Sequence, residues 1–203
     1  MRINNAVLLW AMAIAIGVGQ PTMASEITVA IEQLDTGLLQ AMKAGKASPF
    51  RQRYDLLAPL VIRAIDLDTI LQAAVGPAWA SLPADQQAAL KTAFQRYSIA
   101  TYVTHFNEFD GERFDLSSAT GGEQVVRVKI VAGKAGGETH ALGYVMRPTV
   151  GGWKAVDVTA DSTVSQVLAQ QEEIRSLFKK GDAPGLLARL QEKTAELSGG
   201  SVR

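Results

Sequence analysis

The chain has 203 residues, 47% of them apolar and 20% charged, with 20 Lys and Arg balanced by 20 Asp and Glu and no cysteine. That length is ample for one domain with a buried core, and the charge is too sparse for a disordered acidic or basic tail. An even balance leaves no footprint for nucleic acid, and the missing cysteines exclude disulfides, thiolate zinc sites, thiol nucleophiles and a lipid-modified N-terminal cysteine.

Arg2 is the only charge before Glu26, and residues 6–18 read AVLLWAMAIAIGV, an unbroken apolar run. A membrane-spanning helix wants about 20 predominantly apolar residues, and this run is shorter. Gln20 and Pro21 interrupt it, and Thr22-Met23-Ala24 offers a cleavage site. The reading is a cleaved signal peptide over 1–24, with an uncleaved N-terminal anchor as the alternative, and a soluble, exported mature chain forming one domain over 25–203. The end, SGGSVR, reads as a frayed tail from about residue 198.

Helical periodicity opens the mature chain. Ile27, Ile31, Leu34, Leu38 and Met42 form one stripe, ending at Gly45. Phe50, Tyr54, Leu57, Val61 and Ile65 form a second, with Pro59 placed to kink it. A short third segment follows Asp66, carries Leu67, Ile70, Leu71, Ala74 and Val75, and stops at Gly76-Pro77. The spacing predicts a long helix over residues 84–110. Its apolar residues occupy two faces, Leu90, Phe94 and Tyr97 on one and Ile99, Tyr102 or Val103, Phe106 and Phe109 on the other. A helix apolar on two sides must be covered on two sides, so this one is expected at the centre, between other helices and a sheet.

From Phe114 the period becomes two. Val126, Val128 and Ile130 alternate with Arg127 and Lys129, and Leu142, Tyr144 and Met146 make a similar set. Lys154, Val156 and Val158 alternate with Trp153, Ala155 and Asp157, and the doublets Gly121-Gly122, Gly136-Gly137 and Gly151-Gly152 punctuate the runs. Three or four such strands make an antiparallel meander with one face covered. Two helices follow, one striped by Val164, Val167, Leu168, Ile174 and Phe178, the other begun by Asp182 and Pro184 and striped by Leu186, Leu187, Leu190 and Leu197. Helices grouped before and after strands indicate an α+β fold: a curved antiparallel sheet wrapped by helices, able to enclose an apolar cavity.

Chemistry-bearing patterns are scarce. His105 and His140 are the only histidines and stand in no metal-ligand spacing. Ser81, Ser98, Ser117 and Ser165 lack a nucleophile-elbow setting, and the glycine doublets spell no phosphate loop. Asp66 reads as a helix cap. Asp157 reads as a carboxylate holding a structural hydrogen bond to a helix end or an arginine. No constellation supports acid–base catalysis, and no cofactor or metal is expected. Apolar and aromatic surface is plentiful: Trp79, Phe94, Tyr97, Tyr102, Phe106, Phe109, Tyr144 and Trp153 all fall within elements. Solid core and ligand-lined cavity explain these equally well.

Two long stretches carry a family resemblance. The first is DLDTILQAAVGPAWASLPADQQAALKTAFQRYSIATYVTHFNEFDGERF, residues 66–114, with Asp66-Leu67, Gly76, Trp79, Phe94, Tyr102 and Asp110-Gly111-Glu112 in order. The second is GGWKAVDVTADSTVSQVLAQQEEIRSLFKKGDAPGLLARLQEK, residues 151–193, with Trp153-Lys154, Asp157-Val158 and Phe178 followed by Gly181. The chain resembles the periplasmic lipid-binding family of MlaC and the toluene-tolerance proteins, closest to its hopanoid-associated branch (HpnM). The resemblance implies a lipid carrier that receives its ligand, a phospholipid or a hopanoid, from an inner-membrane lipid-transport complex and hands it to an outer-membrane partner, or the reverse. It also leaves room for an adaptor of hopanoid synthesis at the inner membrane without carrier activity. Face and position then nominate Leu71, Val75, Trp79, Tyr102, Val103, Phe106, Val128, Ile130, Tyr144 and Met146 as the lipid-binding lining.

Overall fold

The structure, a computed structural model, describes residues 23–118, 124–134, 137–160, 164–178 and 182–202. The proposed signal peptide and the doublet Gly121-Gly122 therefore lie outside the described residues, the former except for Met23 and Ala24. Four helices come first: α1 (Met23–Ala44), α2 (Phe50–Ala64), α3 (Leu67–Val75) and α4 (Ala84–His105), with a 3-10 turn over Gly76–Ser81 between the last two. Strands β1 (Arg113–Ser118), β2 (Val125–Val131), β3 (His140–Thr149), β4 (Gly152–Ala160) and the two-residue β5 (Val164–Ser165) follow, then α5 (Gln166–Leu177) and α6 (Ala183–Ser198). Among the described residues no helix is long and apolar enough to cross a membrane.

Local signals act where the side chains can satisfy helix ends. Asp66 caps α3, its carboxylate accepting from the Thr69 amide at 3.1 Å and from the Thr69 hydroxyl at 2.7 Å. Asp182 caps α6 through the Gly185 amide at 2.9 Å. Gly76 ends α3 with φ +73°, a left-handed conformation that a side chain would strain. Pro59 lies inside α2, whose helical span continues past it to Ala64.

The sheet is a curved antiparallel meander in the order β1-β2-β3-β4-β5. Its inner face carries Phe114 and Leu116, then Val126, Val128 and Ile130, then Leu142, Tyr144 and Met146, aligned by the strand register. Strand β4 departs from simple alternation. The register shifts between Val145 and Met146, so that Tyr144 pairs with Val158 while Met146 pairs with Ala155. The extra residue in β4 makes a β-bulge, which bends the strand and puts Ala155 and Val158 on the same covered face. The period-two reading had placed them on opposite faces.

Helices cover this face. α1 packs on both α2 and the sheet, α2 and α3 pack on α4, and α6 lies along α4. The junction of α2 and α3 is tied directly to β4, where the Asp66 amide donates to the Ala155 carbonyl at 2.8 Å. Helix α4 is central as its two apolar faces require, with Leu90, Phe94, Ile99, Ala100 and Val103 buried. It ends at His105, five residues earlier than the periodicity predicts, because Phe106 leaves helical geometry and Phe109 is exposed beside the Lys43 ammonium. The C-terminal end also differs from expectation. Past Gly199 the chain folds back, Val202 is 3% exposed, and its amide is held by the Ser198 hydroxyl at 3.1 Å.

Candidate functional site

A cavity of about 650 Å³ lies between α4 and the β3–β4 end of the sheet. Its helical wall is a single face of α4. Tyr97, Thr101 and His105 line it at one spacing of four, and Ser98, Tyr102 and Phe106 at another. Leu142 and Tyr144 of β3, with Val158 and Ala160 of β4, form the opposite wall. Ile65, Leu67 and Ile70 close one side, and Glu173 of α5 stands at the edge. The β4 bulge positions this wall, since it turns Val158 toward the helices.

Aromatic rings extend the apolar surface. Tyr102 stacks near-parallel on Phe106 at a centroid distance of 6.1 Å, and Phe106 meets Phe114 of β1 at 6.3 Å. The polar residues on α4 are largely neutralised by their own helix. Thr101 donates to the Tyr97 carbonyl at 2.9 Å, and a ring nitrogen of the exposed His105 lies 2.8 Å from the Thr101 carbonyl. Glu173 links three helices: it accepts from the Tyr97 hydroxyl at 3.0 Å and pairs with Lys193 of α6 at 2.7 Å. Burial, reinforced by that carboxylate, pushes the Tyr97 phenol up to about 12.

Behind the apolar wall sits a polar residue that sequence reading passed over. Asp35 of α1 is 6% exposed. Burial, then the nearby Glu32, raises its carboxyl from the ordinary 3.8 to about 7. The same carboxylate, after burial itself, helps to push up the Tyr102 phenol, and with Tyr102 it pushes up that of Tyr144. Asp35, Tyr102 and Tyr144 are thus electrostatically coupled. Asp157, by contrast, has a structural role: its carboxylate accepts from the Val158 amide at 2.7 Å and the Ser165 hydroxyl at 2.8 Å, where the chain turns into α5.

Of the nominated lining residues, Tyr102, Phe106 and Tyr144 are on the cavity wall. Leu71 and Val75 are buried further along α3 than Ile70, and Trp79 is half-buried in the 3-10 turn. Val103, Val128 and Met146 are fully buried, and Ile130 is half-buried opposite Phe114. The cavity stands over β3 and β4, so the β2 residues are a strand away from it. Sequence reading named Tyr97, Ile65, Leu67, Ile70, Leu142 and Val158 as core stripe members and missed that they face a void. It missed Ser98 and Thr101 because polar side chains hide an apolar face; their register with Tyr102 and His105 was the available signal.

The family model for MlaC protein matches residues 32–192. The chain belongs to the MlaC family. A solved structure, the phospholipid-binding protein from Ralstonia solanacearum in complex with a phospholipid, has the same fold as this MlaC-family chain. The TM-score is 0.68 at 19% identity, over 88% of this chain and 99% of that one. No curated protein sequence matches. Among the described residues no group of three His, Cys, Asp or Glu side chains could hold a metal ion.

Proposed function

We propose that this protein is a periplasmic lipid carrier. It buries the apolar part of one lipid between α4 and the sheet, and moves it between an inner-membrane lipid-transport complex and an outer-membrane partner. The observation that carries the reading is the cavity of about 650 Å³ with aliphatic and aromatic walls. At ~30 Å³ for a water-sized group, that is room for roughly twenty such groups, about one long acyl chain or a compact polycyclic skeleton. Each buried methylene is worth about 0.8 kcal/mol, so a long chain leaves a bilayer only for a cavity that replaces most of its apolar surroundings. Membership of the MlaC family and a fold shared with a phospholipid-bound protein support lipid as the cargo. The ligand is a phospholipid or a hopanoid, its head group held at the mouth near His105 and Glu173. Export follows from the N-terminal apolar segment, removed before residue 25.

The decisive measurement is native mass spectrometry of the mature chain purified from its host, with extraction of whatever lipid it carries. One lipid per chain is expected. Repeated recovery of lipid-free protein that takes up nothing from phospholipid or hopanoid vesicles would overturn the proposal. Transfer between donor and acceptor vesicles tests carriage as distinct from binding.

A further inference from the structure

Every lysine and arginine of the strands falls on one face of the sheet, and it is the face turned away from the cavity. Side chains alternate along a strand. With Leu116, Val128, Tyr144 and Ala155 turned inward, Arg113, Arg127, Lys129, Arg147 and Lys154 are turned outward. The first four of these cations are exposed, and Lys154 is half-buried. The strands put two carboxylates on the same face, Asp115 and Asp157. Arg113 donates to the first at 3.1 Å, and the Val158 amide and Ser165 hydroxyl hold the second. Among the described residues this face thus has five cations against two carboxylates, in a chain whose 20 Lys and Arg balance 20 Asp and Glu.

The β3–β4 turn adds an apolar tip. Arg147 and Lys154 stand directly opposite each other at its base, an arrangement of like charges that costs stability. Lys154 donates to the Ile62 carbonyl at the end of α2 at 2.9 Å, whereas Arg147 has no hydrogen bond or ion pair among the described residues. Asp66 and Asp68 share a recess with Lys154, but Asp66 is taken up by Thr69 and Asp68 by Lys91 at 2.9 Å. Past Arg147 the turn projects: Val150 is 111% exposed, and a Cβ at Gly151 or Gly152 would meet nothing within 4 Å. A bare valine beside two opposed cations serves neither the core nor the strand ladder.

We propose that the outer face of the sheet and the β3–β4 turn dock on the surface of an anionic bilayer. Cations gain from the negative potential of such a surface, and an apolar tip enters the boundary between head groups and acyl chains. A folded acidic protein would answer the charges but offers Val150 no apolar layer beneath them. The cavity lies on the other face of the sheet, so this docking leaves its wall at His105 and Glu173 uncovered. The inference goes beyond the carrier reading and does not depend on what the cavity holds.

The test is flotation of the full mature chain with vesicles of phosphatidylcholine alone and of phosphatidylcholine mixed with phosphatidylglycerol. Binding is expected to the mixed vesicles only, and should weaken as salt is raised. Arg147→Ala should lower the apparent affinity about fivefold, and Val150→Ser about three- to tenfold. Both positions are exposed and off the cavity wall, so thermal midpoints and lipid content in native mass spectra should match the parent chain. Equal binding to both kinds of vesicle, binding to neither, or parent-like binding by both variants would overturn the proposal. If vesicles fail while native membranes bind the chain until treated with protease, the face belongs to an acidic protein and the bilayer proposal falls. A chain that floats as expected but never carries lipid would refute carriage and leave the docking surface standing.

Discussion

Two buried ionisable residues outside the cavity wall show how single side chains set stability. Asp35 stands four residues after Ile31 and three before Leu38, on the buried face of α1, with no hydrogen-bond partner among the described residues. Its folded carboxyl titrates at about 7 against an ordinary 3.8. Between those values the native state holds a proton that the unfolded chain has lost, so the contribution is complete below about pH 4 and falls away as the pH rises through 7. Urea midpoints should therefore drop from about pH 4 to about pH 8, and Asp35→Asn should remove a component on the order of 3–4 kcal/mol of that slope. Arg53 is the converse case. The residue is 6% exposed, burial lowers the pKa of its guanidinium, and that group donates to the Val103 carbonyl near the end of α4 at 3.0 Å. Arg53→Met should cost about 2–3 kcal/mol in a denaturant titration, because a carbonyl at a negative helix end loses a charged donor. The helical register of Asp35 was readable beforehand. The partner of Arg53 was not, since 50 residues separate it from Val103.

Among the elements, α5 borders the cavity through Glu173. It packs on α3 and β4, and Glu173 ties it to Tyr97 of α4 and Lys193 of α6. Glu173→Gln keeps the shape and removes the charge. Amide protection in α5 should fall in hydrogen exchange, and lipid release should quicken a few-fold. An unchanged rate would assign gating to another element. The caps at Asp66 and Asp182 could be read from sequence because capping is local. The β4 bulge could not: its cause is the match to β3, and the alternation in β4 alone points the other way. The end of α4 was missed for a related reason, as apolar spacing persists through Phe109 after the hydrogen-bonded helix has stopped.

For the molecule as a whole, the sequence made the α+β class and meander legible, because consecutive strands separated by short turns pair with their neighbours. Whether the interior was filled or hollow was not legible, since a stripe of aromatic residues looks the same in either case. That distinction can be engineered. Leu142→Trp places an indole in the cavity from a strand that is otherwise intact. Bound lipid per chain should fall well below one in native mass spectra, with thermal stability held or raised because a void is filled. Loss of folding together with loss of lipid would instead show that the site tolerates no added volume.

One contact has a bearing on how such a molecule comes into being. The last helix, α6, is laid along α4, an element from the middle of the chain. Closure of the helical layer thus depends on a segment far downstream of α4, and loop-closure entropy is met before that contact repays it. A chain can pair its hairpins early through local contacts, yet its helical layer stays open until α6 docks on α4. Late closure of this kind would leave the outer side of α4 uncovered until the final docking step.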